Sequence, residues 1–201
     1  MVVDFRVVKR ANRDLEDAVA LACKAVEYIA GSKPANPGRA IYLAQLGAAS
    51  RDVWEYQNLK TEALRRAIQS YLQAAEIVTP TNPDYYEYRF LAADAQAHLA
   101  PIAQPGHDEL PELQRSTINM LEEAFSSELA AAQVRIRAGR SLARLISKDD
   151  LAKASETLRS CVAILADLAP AQLEMADRQF VLADLGVLVS EAATTMAIAG
   201  L

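Results

Sequence analysis

Apolar residues recur along the first part of this chain with the spacing of one face of an α-helix. Between positions 13 and 30 the apolar stripe is Leu15, Ala18, Val19, Ala22, Val26 and Ile29. The spacing i, i+3, i+4, i+7, i+11 and i+14 keeps these side chains on one side of a helix with 3.6 residues per turn. The pattern predicts an amphipathic helix that packs through this stripe.

The same stripe returns twice further along the chain. It lies 49 residues later as Leu64, Ala67, Ile68, Tyr71, Ala75 and Val78, and 136 residues later as Leu151, Ala154, Ser155, Leu158, Val162 and Leu165. Asn36-Pro37 and Asn82-Pro83 also correspond, with Tyr42 and Tyr88 five residues after each proline. Asn is a favoured N-cap and Pro a favoured first helical residue. We therefore predict an internal repeat of helical hairpins, which bury their stripes by stacking.

The periodicity predicts eight helices and no strand. Their expected ranges are about 13–30, 37–57, 61–78, 83–99, 109–125, 127–147, 150–168 and 171–199. Taken in order as pairs, they predict an all-α fold: an α-solenoid of about four antiparallel hairpins in a right-handed superhelix. We expect one domain over 1–201, with two clear repeats in 1–100, a Pro-containing linker at 101–110 and two divergent hairpins in 111–201.

Composition narrows the classes of protein that fit. The chain has 201 residues and a net charge of −5, which argues against nucleic acid or an anionic membrane as a partner. We see no apolar stretch long enough to span a membrane and no signal peptide. The two cysteines, Cys23 and Cys161, are too few for a disulfide framework, so we expect reduced thiols and a cytoplasmic protein.

Candidate chemistry is sparse. The only histidines are His98 and His107, and no metal-binding, phosphate-binding or nucleophile motif surrounds them. His98 falls near the end of a predicted helix, where a cation complements the helix dipole. We expect no cofactor and no metal. The sequence leaves enzymatic activity open and favours a protein that is not an enzyme.

An aromatic cluster stands out in "TNPDYYEYRF" at positions 81–90. Tyr85 and Tyr88 share one face of the predicted helix with Leu91 or Ala92. One interpretation is that they pack on the preceding helix. The alternative is a platform that binds a ligand or a peptide.

A basic strip also stands out on this acidic chain. Arg137, Arg140 and Arg144 lie on one face of the predicted sixth helix at i, i+3 and i+7. They offer bidentate sites for an acidic peptide or a neighbouring domain. The alternative is ion pairing within the fold, with Glu122, Glu123 or Glu128.

The chain resembles the TPR-like repeat region that precedes caspase-like (CHAT) domains, especially in fungal proteins. The first segments that carry the resemblance are "DLEDAVALACKAVEYI" and "NPGRAIYLAQLG". In the C-terminal half they are "AFSSELAAAQVRIRAGRSLARLI", "DDLAKASETLRSCVAILADLAP" and "DRQFVLADLGVLVSEAATTMAIAG". The matching residues are Arg39, Ala40, Tyr42, Leu43, Leu46, Gly47, Arg135, Ile136, Ala138, Arg140, Leu158, Val162, Leu165, Arg178, Gln179, Leu182, Gly186, Ala192, Ala193 and Gly200. The sequence ends at Leu201, where the resemblance would place the caspase-like domain, so no catalytic dyad is carried over.

The resemblance implies a groove. In TPR arrays the first helix of each hairpin lines a concave groove that holds extended peptides. This implies that Lys24, Arg66, Gln69 and Gln73, which lie outside the apolar stripes, are groove residues. The alternative is an ordinary solvated face.

Three functions fit these observations. The first is an interaction or regulatory scaffold that binds a protein or peptide partner, or an attached caspase-like domain. The second is an oligomerisation module. The third is a helical enzyme with a small-molecule pocket lined by Tyr42, Trp54, Tyr85 and Tyr88. The predicted last helix is apolar on nearly every side, so we expect a following domain or a homodimer to cover it. The expected contacts are Leu182, Leu185, Val189, Met196 and Ile198.

Overall fold

The structure is a computed structural model that describes residues 5–30, 38–56, 61–100 and 110–167, together with 190, 193–194 and 197–198. In this part of the chain there is no strand, and the long elements are seven helices. They are α1 (Phe5–Ala30), α2 (Gly38–Tyr56), α3 (Thr61–Ile77), α4 (Pro83–Leu99), α5 (Leu110–Ser126), α6 (Ala132–Ile146) and α7 (Leu151–Asp167). The all-α prediction is therefore confirmed for the described residues, while the solenoid remains a prediction.

Most bounds of the first seven predicted helices agree with the structure, and two differ. The eighth, predicted at 171–199, lies outside the described residues except for 190, 193–194 and 197–198. The first helix begins at Phe5 rather than near 13. The segment "FRVVKRANRD" contains no Pro or Gly that would end a helix there. The sixth helix begins at Ala132 rather than near 127, because the chain turns after α5. The Ala130 N–H donates to Ser127 O and the Leu129 N–H to Ser127 Oγ within that turn.

The predicted cap of the fourth helix is confirmed. The Asn82 side chain accepts a hydrogen bond from the Asp84 N–H at 3.0 Å, and Pro83 occupies the first helical position. The matching pair Asn36-Pro37 lies outside the described residues.

The contacts divide the chain into two compact units, residues 1–117 and 118–201. The division falls inside α5, whereas the linker predicted at 101–110 lies outside the described residues except for Leu110, where α5 begins. Each unit has its own buried residues.

In unit 1 each helix packs on the next: α1 on α2, α2 on α3, and α3 on α4. Val19 and Ile68 are both buried, as the repeat register requires, and they share a cluster with Leu46 and Trp54 of α2. One position departs from the register, because Ala18 is exposed whereas its counterpart Ala67 is buried.

The directions of the first three helices follow from their connections. Seven residues join α1 to α2 and four join α2 to α3, and helices that pack across such short connections run antiparallel. It follows that α1 and α3 run in the same direction.

In unit 2, α6 packs on α7. Cys161 of α7 is fully buried and its thiol lies 3.7 Å from the Ile136 carbonyl oxygen of α6. Burial raises the pKa of Cys161 to about 12, although Arg140 and Arg135 favour the thiolate. Both cysteines are free thiols.

Candidate binding cleft

A cleft of about 520 Å³ opens in unit 1 where α1, α2 and α3 meet. Its apolar walls are Val19 of α1, Val53 of α2 and Ala63 of α3, all buried. Its remaining lining residues are Glu16, Ala20, Cys23, Ser50, Glu62 and Arg66. A volume of this size lies in the range of small-ligand pockets in proteins.

Ser50 gives the cleft an unfilled hydrogen-bonding site. Its side chain is fully buried, and its hydroxyl oxygen has no hydrogen-bond partner within the described part of the protein. A buried hydroxyl without a partner costs free energy relative to one that is hydrogen-bonded. Ser50 lines the cleft but its hydroxyl oxygen is itself covered, so a bond from a polar group in the cleft requires the hydroxyl to rotate toward that group.

The local sequence explains why these side chains meet. Glu16, Val19, Ala20 and Cys23 are spaced i, i+3, i+4 and i+7, so they share one face of α1. Gly47 brings α2 close to α3 one turn before Ser50, since the Tyr71 ring occupies the space beside it.

Charge is unevenly distributed along the cleft. Glu16 is the first lining residue of α1 and Glu62 is the first of α3, whereas Arg66 lies one turn further along α3. All three side chains are exposed at the rim. One end of the cleft is therefore acidic and the other basic.

The predicted groove residues extend from this cleft. Arg66 lines it, whereas Lys24 follows the lining residue Cys23 on α1 and is exposed. Gln69 and Gln73 are also exposed, and they lie on the Arg66 face of α3 at i+3 and i+7. The structure thus adds Ser50, Cys23, Glu16 and Glu62 to the region around Arg66.

Of the cleft residues that the sequence analysis did not identify, Ser50 has a feature in the sequence that could have marked it. Ser50 lies in register with the buried positions Leu43, Leu46 and Gly47 of α2. A serine at a core position of an amphipathic helix needs a partner, and that requirement marks it as a candidate.

The packing interpretation of the aromatic cluster is confirmed for Tyr88. Its side chain is 7% exposed and clusters with Ala40 and Leu43 of α2 and with Ala74 and Ala75 of α3. Burial also raises the pKa of the Tyr88 phenol above its ordinary value.

Tyr85 is half-buried, and its ring stacks edge-to-face on Tyr86 with the Arg89 guanidinium 5.8 Å from its centroid. The binding role of Tyr85 stays a prediction. Of the four residues predicted to line an enzyme pocket, Trp54 and Tyr88 belong to different buried clusters. The pocket itself stays a prediction.

The basic strip lies in unit 2. Arg137 and Arg140 are half-buried and Arg144 is exposed, and each of them interacts with another group of the chain. One carboxylate expected to pair with the strip has a different partner, since the Lys153 ammonium lies 2.8 Å from Glu122 Oε1. Binding of an acidic partner by the strip stays a prediction.

Most of the predicted dimer contacts lie outside the described residues. This holds for Leu182, Leu185, Val189 and Met196. Ile198 is described and is 70% exposed. Among the described residues, no helix could cross a membrane and no group of His, Cys, Asp or Glu could hold a metal ion.

Comparison of the chain with protein-family models, with curated proteins and with solved structures found no match.

Proposed function

We propose that this protein is an interaction scaffold and that the cleft between α1, α2 and α3 binds an extended peptide segment of a partner. The observation that carries this proposal is the buried, unpartnered Ser50 hydroxyl in an apolar cleft whose rim is charged. An apolar side chain of the peptide fills the space between Val19, Val53 and Ala63. A polar group beside it hydrogen-bonds to Ser50.

The surface beyond the cleft favours a peptide over a compact metabolite. Gln69 and Gln73 continue from Arg66 along the exposed side of α3. Glutamine side chains both donate and accept, so they match the N–H and C=O groups of an extended backbone. Because opposite charges attract, an acidic residue of the peptide should lie beside Arg66 and Lys24. A basic residue of the peptide should lie beside Glu16 and Glu62.

The wider proposals rest on the same unit. We propose that the helices continue as a TPR-like solenoid and that the scaffold acts in the cytoplasm with reduced thiols. We also propose that it regulates an attached caspase-like domain, a role that the sequence resemblance implies. The sequence of the full-length gene tests that last proposal directly.

Selection from a displayed random peptide library tests the cleft. The expected consensus has an apolar residue next to an acidic one. Arg66→Glu should replace that acidic preference with a basic one, whereas Arg65→Glu, an exposed control on another face of α3, should leave the consensus unchanged. Identical consensus sequences for wild type and Arg66→Glu would contradict the proposal.

Ser50→Ala separates binding from stability. Removing a buried hydroxyl that lacks a partner should hold or raise the melting temperature. The same change should weaken the selected peptide about tenfold, because the bond to Ser50 is lost. Alkylation of Cys23 gives a second readout, since a bound peptide should slow it. Unchanged affinity together with unchanged alkylation would place the peptide elsewhere.

A further inference from the structure

An apolar stripe on α1 is exposed. Leu21 and Tyr28 are 66% and 84% exposed, Ala18 is exposed and Ala25 is half-buried. These four residues are spaced i, i+3, i+7 and i+10, so they lie on one side of the helix, away from the cleft residues. Together with Tyr42 of α2 they are called the open face below.

Three of the four counterparts of this stripe are buried in each of the other two copies of the repeat. They are Ala67, Ser70 and Ala74 in α3, and Ala154, Thr157 and Cys161 in α7. The counterparts of Tyr28, which are Ile77 and Ile164, are half-buried. In both copies the helix that comes before packs on this side: Ala74 clusters with Ala40 and Leu43 of α2, and Cys161 meets Ile136 of α6. A helix therefore covers this side of the repeat unit in two of three copies.

Tyr42 of α2 is likewise more exposed than its counterpart in the next copy of the repeat. Its counterpart Tyr88 is 7% exposed because it packs back on the preceding hairpin through Ala40 and Leu43. Tyr42 itself is 38% exposed. The open face is thus a packing surface of the repeat unit, and it spans two helices.

The residues of the open face are complementary to themselves. If two α1 helices pair antiparallel about a point between Leu21 and Ala25, Leu21 of each copy meets Ala25 of the other. Ala18 of each copy then meets Tyr28 of the other. Each of these cross-subunit pairs forms one layer of the interface. Every layer places a large side chain against a small one, which allows close packing.

We propose that the open face binds a second copy of this chain and forms a two-fold dimer through antiparallel α1 helices. A two-fold interface uses the same patch on both subunits, and this patch matches itself. The four stripe residues carry no charge. Asp14 continues their row one turn before Ala18, and Asp17 and Lys24 flank it, so the charges surround the apolar stripe. Tyr28 and Tyr42 of each copy are the aromatic anchors.

Light scattering on the full 201-residue chain over a concentration series tests this dimer. We expect a dimer that Leu21→Glu dissociates, since the change puts two carboxylates into apolar layers. Leu129→Glu is the matched control, because Leu129 is also an exposed leucine but lies outside the open face. It should leave the dimer intact. A monomer at every concentration, or equal behaviour of the two variants, would overturn the proposal.

A residue exchange tests the antiparallel register. Leu21→Ala should raise the dimer Kd about 100-fold or more, because both symmetry-related layers lose a leucine. Adding Ala25→Leu restores one large and one small residue per layer and should recover most of the affinity. The Ala25→Leu variant alone should dimerise weakly, because Leu21 of one copy and the leucine introduced at position 25 of the other then collide. Circular dichroism checks the fold of each variant.

A second exchange, Ala18→Tyr with Tyr28→Ala, repeats the design in the outer layers in case the first pair does not fold. If a folded exchange variant binds no better than its single substitutions, the antiparallel register is wrong.

Discussion

The ring of Tyr71 lies where a side chain on Gly47 would have to be. A Cβ built on Gly47 would come within 2.7 Å of the Tyr71 ring, closer than any ordinary carbon contact. Because Tyr71 is buried, its ring has little room to move. The pair therefore sets the distance between α2 and α3, and with it the width of the cleft beside Ser50.

Gly47→Ala should destabilise unit 1 by about 1–3 kcal/mol, since it overpacks the contact with Tyr71. In an unhindered helix the same change would stabilise by about 1 kcal/mol through helix propensity. Urea unfolding shows whether Gly47→Ala lowers or raises the free energy of unfolding. In a Tyr71→Ala background, which removes the ring, the cost of Gly47→Ala should disappear. A stabilising effect in the wild-type background would show that the two helices are not in close contact.

Ile68→Ala should cost about 2–5 kcal/mol of unfolding free energy, because Ile68 is buried against Val19, Leu46 and Trp54. The neighbouring Gln69 is exposed, and Gln69→Ala should change stability by no more than about 0.5 kcal/mol. Chemical denaturation of both variants is the comparison. Similar costs for the two would mean that the face of α3 is assigned wrongly.

Stability should fall at alkaline pH. Burial raises the pKa of Tyr71 to about 12 and that of Cys161 to about 12, whereas their ordinary values are 10.0 and 9.0. Above about pH 9 the unfolded chain loses these protons before the folded chain does, so the unfolded state is favoured. The contribution of protonated Tyr71 and Cys161 to the free energy of unfolding is complete below pH 9. It is lost as the pH rises toward about 12.

Urea unfolding at a series of alkaline pH values measures this loss. Tyr71→Phe keeps the buried ring and removes the ionisable hydroxyl, so its stability should fall less steeply above pH 10. An identical slope for wild type and Tyr71→Phe would contradict the role of Tyr71.

The two thiols should differ in reactivity. Cys23 is half-buried in the cleft, whereas Cys161 is fully buried and its raised pKa keeps it protonated. The thiolate is the reactive form, so an alkylating reagent at neutral pH should modify Cys23 and spare Cys161 until the protein unfolds. Mass spectrometry of the labelled peptides identifies the site. Rapid labelling of Cys161 in the folded protein would contradict its burial.

Helix positions could be predicted from this sequence because the apolar stripes and the Asn-Pro cap are local signals. The start of α6 could not, since "SSELAAAQ" consists largely of good helix formers. In addition to the turn at Ser127, Arg135 Nε of α6 donates to the Phe125 carbonyl oxygen at the end of α5 at 3.2 Å. Such a contact depends on how the two helices meet, which the local pattern does not specify.

The cleft was predictable only in part for a related reason. Arg66 was identified as a polar residue outside the apolar stripe. Ser50 and Cys23 were not, because each lies in an apolar stretch of its own helix. Only the packing of three helices around one space shows that they face a common cleft.

Trp54 gives this protein a spectroscopic probe of one unit. It is the only tryptophan in the chain, it is buried in unit 1, and the His98 ring lies edge-to-face with it at 5.2 Å. Tryptophan emission therefore follows the unfolding of unit 1, while far-ultraviolet circular dichroism follows the helices of both units. Midpoints that coincide would indicate a single cooperative transition, and midpoints that separate would give the stability of each unit from one sample.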